Sequence, residues 1–163
     1  MDSKKCEESF STMERLVLPA DTNIFNALYG GRLVEWIDNV ASIVAIKHGR
    51  RRAVTGSIDS LYFLSPIHLA DIVKMQGRVN YVTRTTMEIE VDVISQEGLT
   101  GAEHFATKAY LTYVAVDQDG RPTDIPGLIV ETEDEKKRFE EAEARRKIRL
   151  EGLSRIRKEI GDS

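Results

Sequence analysis

One helix constrains this sequence more than any other feature. Leu33, Val34, Ile37, Val40, Ala41, Val44 and Ala45 recur at spacings of three and four, and Trp36, Ile43 and Ile46 carry the apolar surface onto neighbouring faces. A helix apolar around most of its circumference has to be wrapped by other elements. Lys47-His48-Gly49 supplies its stop signal. After Arg50-Arg51-Arg52 the period changes. Residues 53–64, 72–82, 85–95 and 103–116 are rich in Val, Ile, Tyr, Phe and Thr, and Met87, Ile89, Val91 and Val93 alternate with Glu88, Glu90 and Asp92. That is the period of two of a β-strand. Short breaks at Ser65-Pro66, Thr83-Arg84, Glu97-Gly98 and Asp119-Gly120 favour antiparallel neighbours. With a first strand over Arg15–Leu18, the order is strand, helix, then four strands. This predicts an α+β fold in which a curved antiparallel sheet wraps one long helix.

Charge divides the chain. Of 163 residues, 131–163 hold ten acids and ten bases, while 1–130 hold 17 acids and 13 bases and so the whole net charge of -4. The expected organisation is a polar, poorly ordered start over 1–10, a globular domain over 11–130, and a charged helical extension over 131–163. Glu133–Lys137 and Glu141–Arg145 set acids four residues before bases along that helix.

Several classes are disfavoured. No run approaches the ~18 apolar residues of a membrane span. The start, MDSKKCEESF, has no apolar stretch of the signal-peptide kind, so a cytoplasmic location is the default expectation. Cys6 is the only cysteine, which excludes an internal disulfide. His48, His68 and His104 lack metal-ligand spacing and read as packed or solvated, so neither a metal nor a cofactor is expected. Mild acidity speaks against a nucleic-acid partner. The G-x-S-x-G elbow and both glycine-rich phosphate loops are absent. Asp117-Gln118-Asp119-Gly120 reads as a turn, because a calcium loop would need a later glycine and a closing glutamate.

Chemistry concentrates in residues 21–38. Gly30-Gly31 precede the helix, so unpartnered N–H groups at its positive end suit an anion or a carbonyl oxygen gaining charge. Asp38 lies two turns further on, among Ile37, Val40 and Ala41. A carboxylate there must be paired, hydrogen-bonded or facing a polar pocket. It reads equally as a structural aspartate held by backbone donors. Asn23, in the preceding loop, reads as a turn cap or as a functional amide.

These residues carry a resemblance. Asp21-Thr22-Asn23, Tyr29-Gly30-Gly31 and Leu33-Val34-Glu35-Trp36-Ile37-Asp38 resemble the hotdog-fold acyl-CoA thioesterases of the cytosolic acyl-CoA hydrolase type. Val54-Thr55-Gly56-Ser57-Ile58-Asp59, Phe63-Leu64-Ser65-Pro66, Ala70-Asp71-Ile72-Val73, Thr83-Arg84-Thr85-Thr86-Met87 and Tyr113-Val114-Ala115-Val116-Asp117 are similar to further family segments, in family order, over residues 12–130. Tyr29, following the bulky Leu28, departs from the residue usual before the glycine pair.

The resemblance implies hydrolysis of fatty acyl-CoA to fatty acid and coenzyme A without a cofactor. It implies homo-oligomers with a dimer as the unit, often a tetramer or hexamer, and sites between subunits. Asp38 would be the catalytic carboxylate, as general base or as nucleophile. Asn23 would orient water or substrate from the other subunit. The Gly31 N–H would stabilise the oxyanion beside Gly30. Arg84, Thr85 and Thr86 would form a turn that meets coenzyme A. A non-catalytic acyl-CoA sensor on the same fold is the alternative.

Overall fold

A computed structural model describes residues 1–162. Its elements run β1 (Lys4–Lys5), β2 (Ser11–Leu16), α1 (Gly30–Gly49), β3 (Arg52–Ile58), β4 (Ile72–Val82), β5 (Thr86–Gln96), β6 (Glu103–Val116), β7 (Leu128–Ile129) and α2 (Glu133–Glu159). Five strands form one antiparallel sheet in the order β2-β4-β5-β6-β3. It curls around α1, which touches all five. This is the curved sheet around one long helix that the element order predicts, and the hotdog fold that the resemblance implies.

The period of two decides which face is core. Val73, Met75 and Val79 of β4, Met87, Ile89, Val91 and Val93 of β5, and Ala109, Leu111, Tyr113 and Ala115 of β6 face α1, and all are buried. They meet Leu33, Trp36, Ile37, Val40, Ala41, Val44 and Ala45 from the helix. At Gly77 the helix lies tight against the sheet. A Cβ added there would lie 2.9 Å from Val44 Cγ2 and 3.6 Å from Val40 Cγ2. Gly77→Ala is therefore expected to cost about 2 kcal/mol, read as a lower Tm with the fold retained.

Four boundaries differ from the sequence reading. The first strand lies earlier, over Ser11–Leu16, because Pro19 begins a 3-10 turn and past Leu16 only Val17 still pairs, its N–H with the Asp71 carbonyl and its carbonyl with the Ala70 N–H. The strand expected over 53–64 ends at Ile58. Beyond it the chain still follows β6, but the ladder gives way to isolated bonds such as Leu64 N–H to Ala106 O and Thr107 Oγ1 to Tyr62 O. Gly49 stays inside α1, wedged against Ile125 and Met87, and the non-glycine Arg50 takes the left-handed cap at φ 48°. The start is ordered rather than loose. Lys4–Lys5 pairs with β7, Lys4 Nζ donates to the carbonyls of Lys47 and His48 at the end of α1, and Cys6 is buried with its thiol on the Val79 carbonyl. Burial pushes that thiol's pKa up.

His48 is fully buried, with Nε2 on the Pro126 carbonyl. Burial pushes its pKa below the ordinary range, and it is a packing residue. His68 and His104 are exposed.

The acids alternating along β5 do not face water. Glu88 and Glu90 are each 2% exposed. Glu90 accepts from Asn80, Arg78 and Lys108. These partners hold its carboxyl below the usual range although burial alone would raise it. Glu88 is covered by α2, whose Arg145 lies 3.7 Å from the centre of the Tyr110 ring and donates to Glu88 at 2.7 Å. Arg149 bridges Glu88 and Asp59. Thr132 caps α2, and Phe139 packs on Tyr81. The near half of the charged extension thus docks on its own sheet by ion pairs, which explains its thin apolar pattern.

Candidate active site

The site is built at the start of α1 and under its first half. The Tyr29 side chain gives the helix no cap. The carbonyl of Tyr29 receives Arg32 and Leu33, and the N–H groups of Gly30 and Gly31 have no acceptor among the described bonds. Both glycines sit close against aromatic side chains, which a Cβ would press aside. A Cβ on Gly30 would meet the Phe63 ring at 3.1 Å, and one on Gly31 the Tyr29 ring at 3.0 Å. Two bare donors thus sit at the positive end of a 20-residue helix.

Asp38 follows seven residues later, about 10 Å along the axis. It is half-buried, and its Oδ1 accepts two hydroxyls: Thr55 Oγ1 at 2.8 Å and Tyr113 Oη at 2.5 Å. Tyr113 also reaches the Asp38 carbonyl at 2.9 Å and lies 3.0 Å from Ser42 Oγ. No described hydrogen bond involves Oδ2. Side-chain hydroxyls, not backbone donors, therefore hold this carboxylate, and they leave one oxygen for chemistry. Burial first, then the bond to Asp38, push the Tyr113 phenol up to about 12. It stays a protonated donor at any working pH.

Asn23 crowns a tight loop. Its Oδ1 accepts the N–H groups of Phe25 and Ala27, and its N–H donates to the Ala27 carbonyl. Asn26 takes a left-handed φ of 56°. The loop is tied to the helix start by Tyr29 N–H to Asp21 O and by an Arg32–Asp21 ion pair at 3.2 Å. Asn23 Nδ2 donates to no described group, and Asn23 is exposed beside Ile24 and Phe25, which are 90% and 79% exposed. Within one chain Asn23 and Asp38 share no hydrogen-bond partner.

Arg84, Thr85 and Thr86 lie elsewhere. They form the β4–β5 turn, where Thr86 Oγ1 bonds Thr83 Oγ1 at 2.7 Å and Arg84 pairs with Asp124 in the open. The Thr85 carbonyl accepts the Ala115 N–H. The following Met87 touches Gly49, at the far end of α1 and about 28 Å along the helix from Gly30. The chain by itself brings Gly30, Gly31 and Asp38 onto one helix, and leaves the turn at the opposite end.

Thr55 and Tyr113 are the site residues that sequence reasoning passed over. Both stood inside recognised segments. Their positions on the α1 side of β3 and β6 follow from alternation with Ala53, Leu111 and Ala115, and a hydroxyl on that side facing a half-buried carboxylate was the readable signal.

Comparisons with known proteins bear on the family and the fold. The thioesterase superfamily model matches residues 25–102. The chain is 41% identical over 134 residues to YkhA of Bacillus subtilis, named as an uncharacterized acyl-CoA thioester hydrolase, covering 82% of this chain and 78% of that one. It is 37% identical over 139 residues to the cytosolic acyl coenzyme A thioester hydrolase of Rattus norvegicus, covering 84% of this chain and 36% of that one. It therefore spans about a third of the mammalian protein. The crystal structure of an apo-hexameric acyl-CoA thioesterase superposes with a TM-score of 0.89 at 38% identity, covering 94% of this chain and 98% of that one. Sequence likeness over most of the chain thus goes with the same fold, and the chain belongs to the acyl-CoA thioester hydrolases of the thioesterase superfamily.

Proposed function

We propose that this chain hydrolyses fatty acyl-CoA at sites assembled between two of its copies, with Asp38 as the base. The observation that carries the reading is the half-tied carboxylate of Asp38, two turns from two unpartnered N–H donors on the same helix. Asp38 Oδ2 takes a proton from water as the water oxygen adds to the thioester carbonyl carbon. The carbonyl π pair moves onto oxygen, where the N–H groups of Gly31 and Gly30 receive the charge. When the carbonyl re-forms, the C–S bond breaks, and the coenzyme A sulfur leaves with the proton that Asp38 held. A thiolate leaves far more readily than an amine, so no further acid is required.

Three features support assembly between copies. Asn23 keeps an amide Nδ2 with no partner among the described bonds, and Ile24 and Phe25 beside it are exposed. β3 is an edge strand, and Val54, Ile58, Tyr62, Phe63 and Leu64 around it are 40–70% exposed, apolar side chains clustered along one edge as at an interface between chains. A similar solved thioesterase is hexameric. In such an assembly Asn23 of one copy orients the water or thioester at Asp38 of the next. The turn of Arg84, Thr85 and Thr86, far from its own helix start, meets the coenzyme A moiety bound by another copy. No helix among the described residues is long and apolar enough to cross a membrane. A cytoplasmic setting, no nucleic-acid partner, and turnover without a metal or cofactor belong to the same proposal.

Thiol release from a series of acyl-CoAs of increasing chain length tests it. Steady release above the no-enzyme rate for at least one chain length supports hydrolysis. Saturable acyl-CoA binding with no thiol release across the series would identify a sensor instead.

A further inference from the structure

We infer that Tyr113 is a positioning residue for hydrolysis, fixing which oxygen of Asp38 faces the water. The inference rests on the Asp38 reading above.

An aspartate carboxylate has two equivalent oxygens and rotates about a soft terminal torsion. To act as a base, one oxygen has to point along one direction. Here the symmetry is broken. Thr55 from β3 and Tyr113 from β6 both donate to Oδ1, and Oδ2 has no described partner. The two donors differ in rigidity. Thr55 sits on an exposed edge strand next to a register shift between Thr55 and Ser57. Tyr113 is 1% exposed, sits in a central region of the sheet between β5 and β3, and has its ring packed into the core beneath α1. Its hydroxyl also reaches the Asp38 carbonyl and lies by Ser42 Oγ, one turn further along the same helix. Tyr113 therefore holds the backbone and the side chain of Asp38 together, against a scaffold that cannot shift without moving the core.

A phenylalanine at this position would fill the core equally well, since only the hydroxyl serves Asp38. The energetics differ from those of a structural hydrogen bond. In the ground state the oxygen left free can turn away, and the substrate is bound by groups elsewhere. The loss should thus fall on the chemical step.

The test compares four proteins: wild type, Tyr113→Phe, Asp38→Asn and the double variant. Rates are taken per folded chain, well below each Tm. The expected result for Tyr113→Phe is kcat lower by about tenfold with KM within about twofold of wild type. In the Asp38→Asn background, single-turnover measurements should show the same change costing less than about twofold, because the group it positions is gone. A Tyr113→Phe enzyme with wild-type kcat would overturn the inference. So would an equal loss in both backgrounds, or a loss wholly in KM. If Asp38→Asn itself turns over at the wild-type rate, the reading of the site fails rather than the positioning role.

Discussion

Asp38→Asn is expected to lower kcat by about a thousandfold, within the range a general base supplies. The substitution keeps the shape of the side chain and an oxygen that can accept from Thr55 and Tyr113, while removing the capacity to take a proton. KM should change little, because the donors of Gly30 and Gly31 remain. The fold should persist as well. Tyr113 keeps the Asp38 carbonyl and Ser42 as partners, so the change strands no buried hydroxyl. Thiol release with a saturating acyl-CoA, alongside a thermal melt, checks both parts. A variant that melts like wild type and hydrolyses like wild type would remove Asp38 from the mechanism.

The second large effect is expected at Asn23. Asn23→Ala should lower kcat/KM by about a hundredfold, the scale of a lost orienting contact. It also deletes the Oδ1 that caps the loop, which costs about 1 kcal/mol of local stability. Asn23→Asp separates the two losses. The carboxylate can still accept from Phe25 and Ala27, so the loop stays folded, but the free Nδ2 donor is gone. The expected result is a wild-type Tm with activity still depressed. Restored activity in Asn23→Asp would reduce Asn23 to the turn cap that its own chain shows.

The fold was legible because its two periods are unambiguous. The apolar girth of residues 33–46 requires wrapping, and the alternation through Met87–Val93 supplies the wrapping face. The same alternation misleads about the other face. Glu88 and Glu90 look solvated until Arg145 and Arg149, more than fifty residues away in sequence, are seen to lie on Glu88. Tertiary ion pairs leave no local mark. The order of residues 4–9 was hidden for a related reason, since Lys4 is satisfied by two carbonyls at the distant end of α1. Strand ends were lost where β3 keeps running beside β6 without a regular ladder.

The site was legible in part. Gly30, Gly31 and Asp38 share one helix, so their relation is fixed by spacing alone. Thr55 and Tyr113 come from strands separated from Asp38 by 17 and 75 positions, and no spacing rule links them. Asn23 and the turn of Arg84, Thr85 and Thr86 share no hydrogen-bond partner with Asp38. Nothing within one chain joins them to Asp38, and their place in the proposal depends on a second copy.

Mixing two impaired variants tests that dependence. Asn23→Ala and Asp38→Ala, each at about a hundredth of the wild-type rate or less alone, are unfolded and refolded together in equal amounts. If each site takes Asn23 from one copy and Asp38 from the next, half of the pairs formed at random are mixed. Each mixed pair carries one intact site out of two, so thiol release should recover to about a quarter of the wild-type rate. A mixture no more active than its two parents, at matched folded concentration, would contradict a site shared between copies.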